Sequence, residues 1–205
     1  MSKTSQGSNL DALFEAYPTI RYATCVHRGT RGNFLTFDKR PWLLDLFMRD
    51  PKPNEAGIRS TTYMKSVQVG ITEKMVLDTL FLAGIKGVST FYVLPNDTAR
   101  GRFVANRVDV PIMRSPTYKK LQQNSIGGTD QVSLKHFGAG TIVFVGSNSK
   151  ASFVEYPADR VVIDELDVCD PDNIKLAQDR FSASPWKILD EASNPTVATF
   201  GIAAK

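Results

Sequence analysis

From about residue 58 onward, short apolar and β-branched runs alternate with longer segments whose apolar residues recur at helical spacing. Five runs read as strands: "STTYMKS" (60–66), "VSTFYVLP" (88–95), "TIVFVGS" (141–147), "DRVVIDE" (159–165) and "WKILDEAS" (186–193). Three segments between them read as helices: "TEKMVLDTLFLAGI" (72–85), "DTARGRFVANRVDVPI" (97–112) and "PDNIKLAQDRFSA" (171–183). Parallel neighbours in a sheet need a crossover segment, so this alternation predicts an α/β fold with a mostly parallel central sheet flanked by helices. Thr72 stands where it can cap the first helix, and the third follows Asp170 with Pro171 in its first turn.

The first 57 residues follow a different pattern, polar at the start and then "RPWLLDLFMRDPKPNEAG", which reads as one short helix and a Pro/Gly loop. We expect residues 1–57 to be an N-terminal extension packed on a core formed by residues 58–205. The stretch "QQNSIGGTDQ" (122–131) reads as a turn or flexible loop, and the sequence has no internal repeat.

Composition narrows the classes. At 205 residues with 42% hydrophobic content, the chain can bury one sizeable core. Cys25 and Cys169 are too few and too far apart for a disulfide framework or a thiolate zinc site, which suggests a reducing cytosolic compartment. No apolar run approaches the roughly 20 residues needed to cross a bilayer, so a soluble intracellular protein without a membrane partner is expected. A net charge of +4 leans towards an anionic partner such as nucleic acid.

"KSVQVGIT" (65–72) follows a strand and opens a helix, the context of a phosphate-binding loop. Such loops read G-x-x-x-x-G-K-[ST], but Ile71 stands where the lysine belongs. A plain glycine turn between strand and helix is the bland alternative. The order of elements, a helix N-terminus that points N–H groups at an anion, and the Thr72 hydroxyl as a Mg²⁺ ligand favour the phosphate loop. Lys65 can supply the missing charge by folding back over the loop from upstream.

In "RVVIDELD" an aliphatic strand runs into Asp164 and Glu165, placing two acids at the carboxyl edge of the sheet, where open α/β folds bind ligands. Asp164 suits a Mg²⁺ site and Glu165 suits a base that polarises an attacking water. Asp167 and Asp170 read as solvated loop residues or helix caps, and neither His27 nor His136 has metal-ligand spacing to a partner. The "WKILDEASNPT" strand ends in the polar residues Ser193, Asn194 and Thr196, beside the acidic strand.

"KSVQVGITE", "YVLPNDTARGRFVANRV", "GTIVFVGSNSKASF", "VVIDELD" and "SNPTVATFGI" stand in an order that resembles the ATPase domain of the large terminase subunit, the DNA-packaging motor of tailed bacteriophages. The resemblance runs from about residue 40 to the end, and is greatest to members whose loop lysine is displaced to the start of the motif. It implies a P-loop NTPase fold of the RecA-like (ASCE) class. It implies ATP contacts at Lys65, Ser66, Gln68, Val69, Gly70, Ile71, Thr72 and Glu73, Mg²⁺ at Thr72 and Asp164, and catalytic roles for Glu165 and Lys65. Ser193 and Asn194 would couple hydrolysis to movement.

The implied partners are double-stranded DNA, a small terminase subunit and a portal protein, in the host cell cytoplasm. A homo-oligomeric ring would form on assembly, with a monomer in isolation. Val67 stands where many relatives carry arginine, and the family's C-terminal nuclease carboxylates have no counterpart in this sequence. Arg100, Arg102, Arg107 and Arg114 are candidates for an arginine donated across a subunit interface. A helicase-like translocase and a non-hydrolysing module that binds DNA or a partner are the alternatives.

Overall fold

Residues that alternate between two faces of one sheet divide the core in two. The structure, a computed structural model, describes residues 11–49, 52–53, 57–125, 130–181, 184–196 and 201–205. The strands are β1 (Arg59–Met64), β2 (Thr90–Leu94), β3 (Leu134–Phe137), β4 (Gly140–Gly146), β5 (Arg160–Asp164) and β6 (Ile188–Ser193), in the order β1-β6-β5-β2-β4-β3. Neighbours are parallel except β3, which closes an antiparallel hairpin on β4.

All five expected strands are present. The sixth, β3, was not expected: its four residues carry Lys135 and His136, too short and too polar a run to register as a strand. Lys135 is nevertheless buried, held by Asp109 at 2.9 Å and Asp130 at 2.5 Å. The expected loop at 122–131 overlaps residues 126–129, which lie outside the described residues, as do 182–183 at the end of the third helical segment.

The loop helix runs Ile71–Phe81 and continues through a wider turn to Lys86. Its N-cap is Gly70 and no side chain caps it, which corrects the expectation that Thr72 does so. The Thr72 hydroxyl is engaged with Lys65 and Asp164 instead. The second helical segment opens at Asp97, with Asn96 Oδ1 accepting from the Ala99 N–H at 2.9 Å. A further helix, Pro116–Gln123, was not expected, although Ser115 at its cap and Pro116 in its first turn are ordinary start signals.

On one face of the sheet Tyr92, Phe144, Val162 and Ala192 pack against Ile71, Met75 and Leu80 of the loop helix. The same cluster takes in Ile20, Ala23, Leu43 and Phe47 of the first 57 residues. The alternate strand positions, Phe91, Val145, Val161, Ile163 and Leu189, face Phe153, Ile174 and Phe181 on the other side. The period-two pattern thus gives every central strand two apolar faces, as a sheet covered on both sides requires.

A buried polar cluster interrupts the first face. Arg160, fully buried, donates to Asp190 through Nε (2.8 Å) and to the Thr79 hydroxyl through Nη1 (2.8 Å). Lys74 of the loop helix pairs with Asp78 one turn on, beside Arg160. Burial opposes the Lys74 and Arg160 charges, but the carboxylates of Asp78 and Asp190 outweigh it and hold both pKa values above their ordinary range. Two cations thereby balance two anions. Removing one partner leaves a buried charge uncompensated, so Arg160→Met is expected to cost about 3–5 kcal/mol in denaturant unfolding. Arg160→Met with Asp190→Leu should cost less than the sum of the single changes, because the double variant leaves neither charge stranded.

Candidate active site

The ends of β1 and β5 and the start of the loop helix converge at the carboxyl edge of the sheet, where Lys65 joins them. Its Nζ donates to Asp164 Oδ1 at 2.7 Å and to Thr72 Oγ1 at 2.9 Å, and lies 3.0 Å from Glu165 Oε1. The Lys65 and Asp164 side chains are almost wholly buried, whereas Glu165 is 41% exposed. Burial lowers the Lys65 pKa, but Asp164 and Glu165 outweigh it and hold the ammonium above its ordinary value. Tyr92 donates to the other Asp164 oxygen at 3.4 Å, and burial pushes that phenol well above its usual range.

The loop achieves this shape through left-handed backbone. Gly70 has φ of 96°, a left-handed conformation that favours glycine, and a Cβ there would press on Leu43 Cδ1 at 2.9 Å. Gln68 (φ 61°) and Glu165 (φ 60°) adopt similar values without being glycine, a conformation that costs of order 1 kcal/mol each. Ile71, at the usual lysine position, is 6% exposed and packs into the core. Among the loop residues, positive charge therefore comes from Lys65.

A cavity of about 610 Å³ opens above this cluster. It is lined by every loop residue from Lys65 to Glu73, and by Glu165 and Asn194. Asp164 lies beneath, reached through Lys65 and Thr72. Ser193 is buried and points away, accepting from the Asp167 N–H at 3.1 Å, while Asn194 keeps a buried Oδ1 without a hydrogen-bond partner. The structure thus brings together all the expected site residues except the Ser193 side chain.

Two findings differ from the sequence reading, those at Asp167 and at the N-terminal segment. Asp167 is not a solvated loop residue: it is 8% exposed, and its carboxylate accepts from the N–H groups of Thr196 and Ile202. Asp170, by contrast, is the cap that was expected, accepting from Asp172 N at 3.0 Å and Asn173 N at 3.4 Å. Residues of the N-terminal segment, among them Arg31, Asn33, Phe34 and Arg40, form one wall of the cavity. The glycines and arginines of "RGTRGNF" (28–34) were the only sequence signal for that wall.

Of the four candidate arginines, Arg107 lines the same cavity in its own chain, and Arg114 braces the N-terminal wall by donating to Thr30 O at 2.5 Å. Glu73 anchors the wall to the loop helix. It pairs with His27 Nε2 at 3.0 Å and with Arg107 at 3.5 Å, and His27 in turn meets the Tyr118 hydroxyl at 3.4 Å. Among the described residues no group of three or more His, Cys, Asp or Glu is placed to hold a metal ion unaided. No helix among them is long and apolar enough to cross a membrane.

The sequence profile of the phage terminase large subunit gpA ATPase domain matches residues 47–205. This chain belongs to that family. No curated protein matches it by sequence. Its fold is similar to a crystal structure of the large terminase from a thermophilic bacteriophage, with 14% identity and a TM-score of 0.57, over 83% of this chain and 42% of that one. A second structure of that phage's large terminase, in complex with ADP, matches at 14% identity with a TM-score of 0.49, over 73% of this chain and 36% of that one. The chain therefore spans about two-fifths of the length of the better-matched terminase. The terminase-family fold is a P-loop NTPase fold, and the extra strand β6 between the loop strand β1 and the acidic strand β5 fits the RecA-like class.

The Glu73 anchor generates a pH prediction. Burial raises the Glu73 pKa, but the His27 hydrogen bond and Arg107 outweigh it and leave it below its ordinary 4.5. A depressed carboxylate contributes stability above its unfolded pKa and loses it as pH falls through the lower folded value. Glu73→Gln should therefore lose less stability than the parent between about pH 6 and about pH 3, measured by denaturant unfolding at each pH.

Proposed function

We propose that this chain hydrolyses ATP in the cavity above Lys65, and that it is the motor domain of a terminase that drives double-stranded DNA into a procapsid. The observation that carries the reading is the Lys65 ammonium shared by Thr72, Asp164 and Glu165 at the uncapped start of the loop helix. An uncapped helix N-terminus presents free N–H groups to an anion, and the loop residues 66–70 curve around the same space. These features support a contact of Lys65 with the β- or γ-phosphate of a nucleotide in place of the usual lysine.

The donor set also fits Mg²⁺. Thr72 Oγ1 and Asp164 Oδ1 are hard oxygen ligands 3.4 Å apart, and both already face one cation, the Lys65 ammonium. These two residues would hold the ion, which supplies charge neutralisation for the phosphates. Glu165 is the base: half-exposed on the cavity side, it can orient a water that Asp164, buried beneath, cannot reach. Asn194, with its unpartnered Oδ1, is the coupling residue that faces the ligand, and Ser193 serves behind it. The wall formed by Arg31, Asn33 and Phe34 would receive the base and ribose.

Residues 58–205 are the catalytic core in this reading, and residues 1–57 are an extension that completes the cavity. Packaging further implies a ring of copies, with a small terminase subunit and a portal as partners in the host cytoplasm. An arginine reaching a neighbour's site would come from Arg100 or Arg102, since Arg107 serves its own cavity and Arg114 the N-terminal wall.

Two substitutions test the assignment. Glu165→Ala should keep Mg²⁺-ATP binding and lower kcat by a factor on the order of 100 or more. Lys65→Ala should weaken nucleotide binding roughly tenfold to a hundredfold, the worth of one charged phosphate contact. Calorimetric titration with steady-state turnover checks both, and similar small effects on kcat with unchanged binding would refute the site.

A further inference from the structure

The carboxylate of Asp167 fastens the turn that carries Glu165 to residues that follow β6. Directly after Glu165 the chain makes a tight turn, Leu166–Val168, with Asp167 at its centre. Asp167 Oδ2 accepts from Thr196 N at 2.6 Å and from Thr196 Oγ1 at 3.1 Å, and its Oδ1 accepts from Ile202 N at 2.7 Å. Its own N–H donates to Ser193 Oγ at 3.1 Å, and that hydroxyl donates to Asn194 O at 3.2 Å.

The opposing segment is shaped to admit this carboxylate. Gly201 has φ of 79°, and a Cβ there would fall 2.2 Å from Asp167 Oδ1. Any side chain at 201 would displace the acceptor or the backbone that donates to it. At the other end of the segment Asn194 lines the cavity. An unbroken series of contacts therefore runs from Asn194 through Ser193 to Asp167, and from Asp167 along one turn to Glu165.

We propose that Asp167 is a positioning residue, a tether that makes the Glu165 turn and residues 194–196 and 201–204 respond together to the ligand in the cavity. The inference rests on the reading of Glu165 as the base for its catalytic consequence, but not for the tether itself. Both Asp167 oxygens are needed as acceptors. Asparagine keeps one and presents an N–H₂ to the other donor, so Asp167→Asn opens one side of the tether, whereas Asp167→Glu retains two acceptors.

The experiment compares amide hydrogen exchange in the parent chain, Asp167→Asn and Asp167→Glu, with and without Mg²⁺ and the β,γ-imido analogue of ATP. In the parent, the analogue is expected to raise protection in residues 165–169, 194–196 and 201–204 together. In Asp167→Asn only residues 165–169 should respond, analogue affinity should stay within about twofold, and kcat should fall about tenfold or more through misplacement of Glu165. Asp167→Glu should recover part of both the linked response and kcat.

A linked response that survives in Asp167→Asn overturns the tether. So does a parent in which residues 194–196 and 201–204 ignore the analogue, or a kcat loss that merely follows the fraction unfolded. If Glu165→Ala turns over at the parental rate while Asp167→Asn still separates the two segments, the base assignment fails and the tether stands.

Discussion

A single ammonium group carries the geometry of the site. Lys65 leaves the end of β1, yet the acids it meets leave the end of β5, and β6 lies between them. Two strand spacings amount to about 9.5 Å, a gap that only a long side chain meeting a carboxylate can close. The register allows it: Tyr63, Ala192 and Asp164 stand opposite one another, and Lys65, two residues beyond Tyr63, projects from the same face. Ala192 beneath the crossing is small enough to leave the passage open. A buried ammonium and a buried carboxylate each need the other, so this contact ties the loop to the acidic turn across β6.

The buried cluster at the opposite end of the same face complements it. Arg160 and Asp190 sit four and three residues back from the tips of β5 and β6, facing Lys74 and Asp78 on the loop helix. Arg160 and Asp164 are separated by about 13 Å of strand, with Val162 between them in the apolar core. The helix that bears Thr72 and Glu73 is thus registered against the sheet by charge at both ends and by apolar packing in between. Such pairs add little net stability over apolar replacements, but an incorrect register would strand a charge.

Much of this was legible in the sequence, for identifiable reasons. Four of the five parallel strands are apolar runs buried almost throughout, the pattern least easily confused with loops, and the edge strand β1 alternates half-buried with exposed positions. The loop and the acidic pair were found because their chemistry needs neighbours in sequence: Lys65 to Thr72 in one turn, Asp164 beside Glu165. What stayed hidden depends on contacts between distant residues. Thr72 looked like a cap because local spacing cannot show that Lys65 and Asp164 claim its hydroxyl. Asp167 looked solvated because its partners lie 29 and 35 residues away. The N-terminal wall was missed because His27 and Phe34 carry no periodicity, and become part of the cavity only through Glu73 and the packing around it.

Backbone strain locates the same site without reference to resemblance. Among the described residues, Gln68, Glu165 and Lys187 are the non-glycine residues with φ above zero. Two of the three line the cavity above Lys65. A left-handed residue without glycine costs stability, and nothing about a strand-to-helix turn as such demands it, since Gly70 already supplies the sharp bend. The cost persists where the surroundings over-determine it: Lys65 holds the Glu165 carboxylate, and Asp167 holds the turn behind it. At Glu165 the left-handed backbone, the Lys65 contact and the cavity lining therefore coincide, which ties the strain to the placement of its carboxylate.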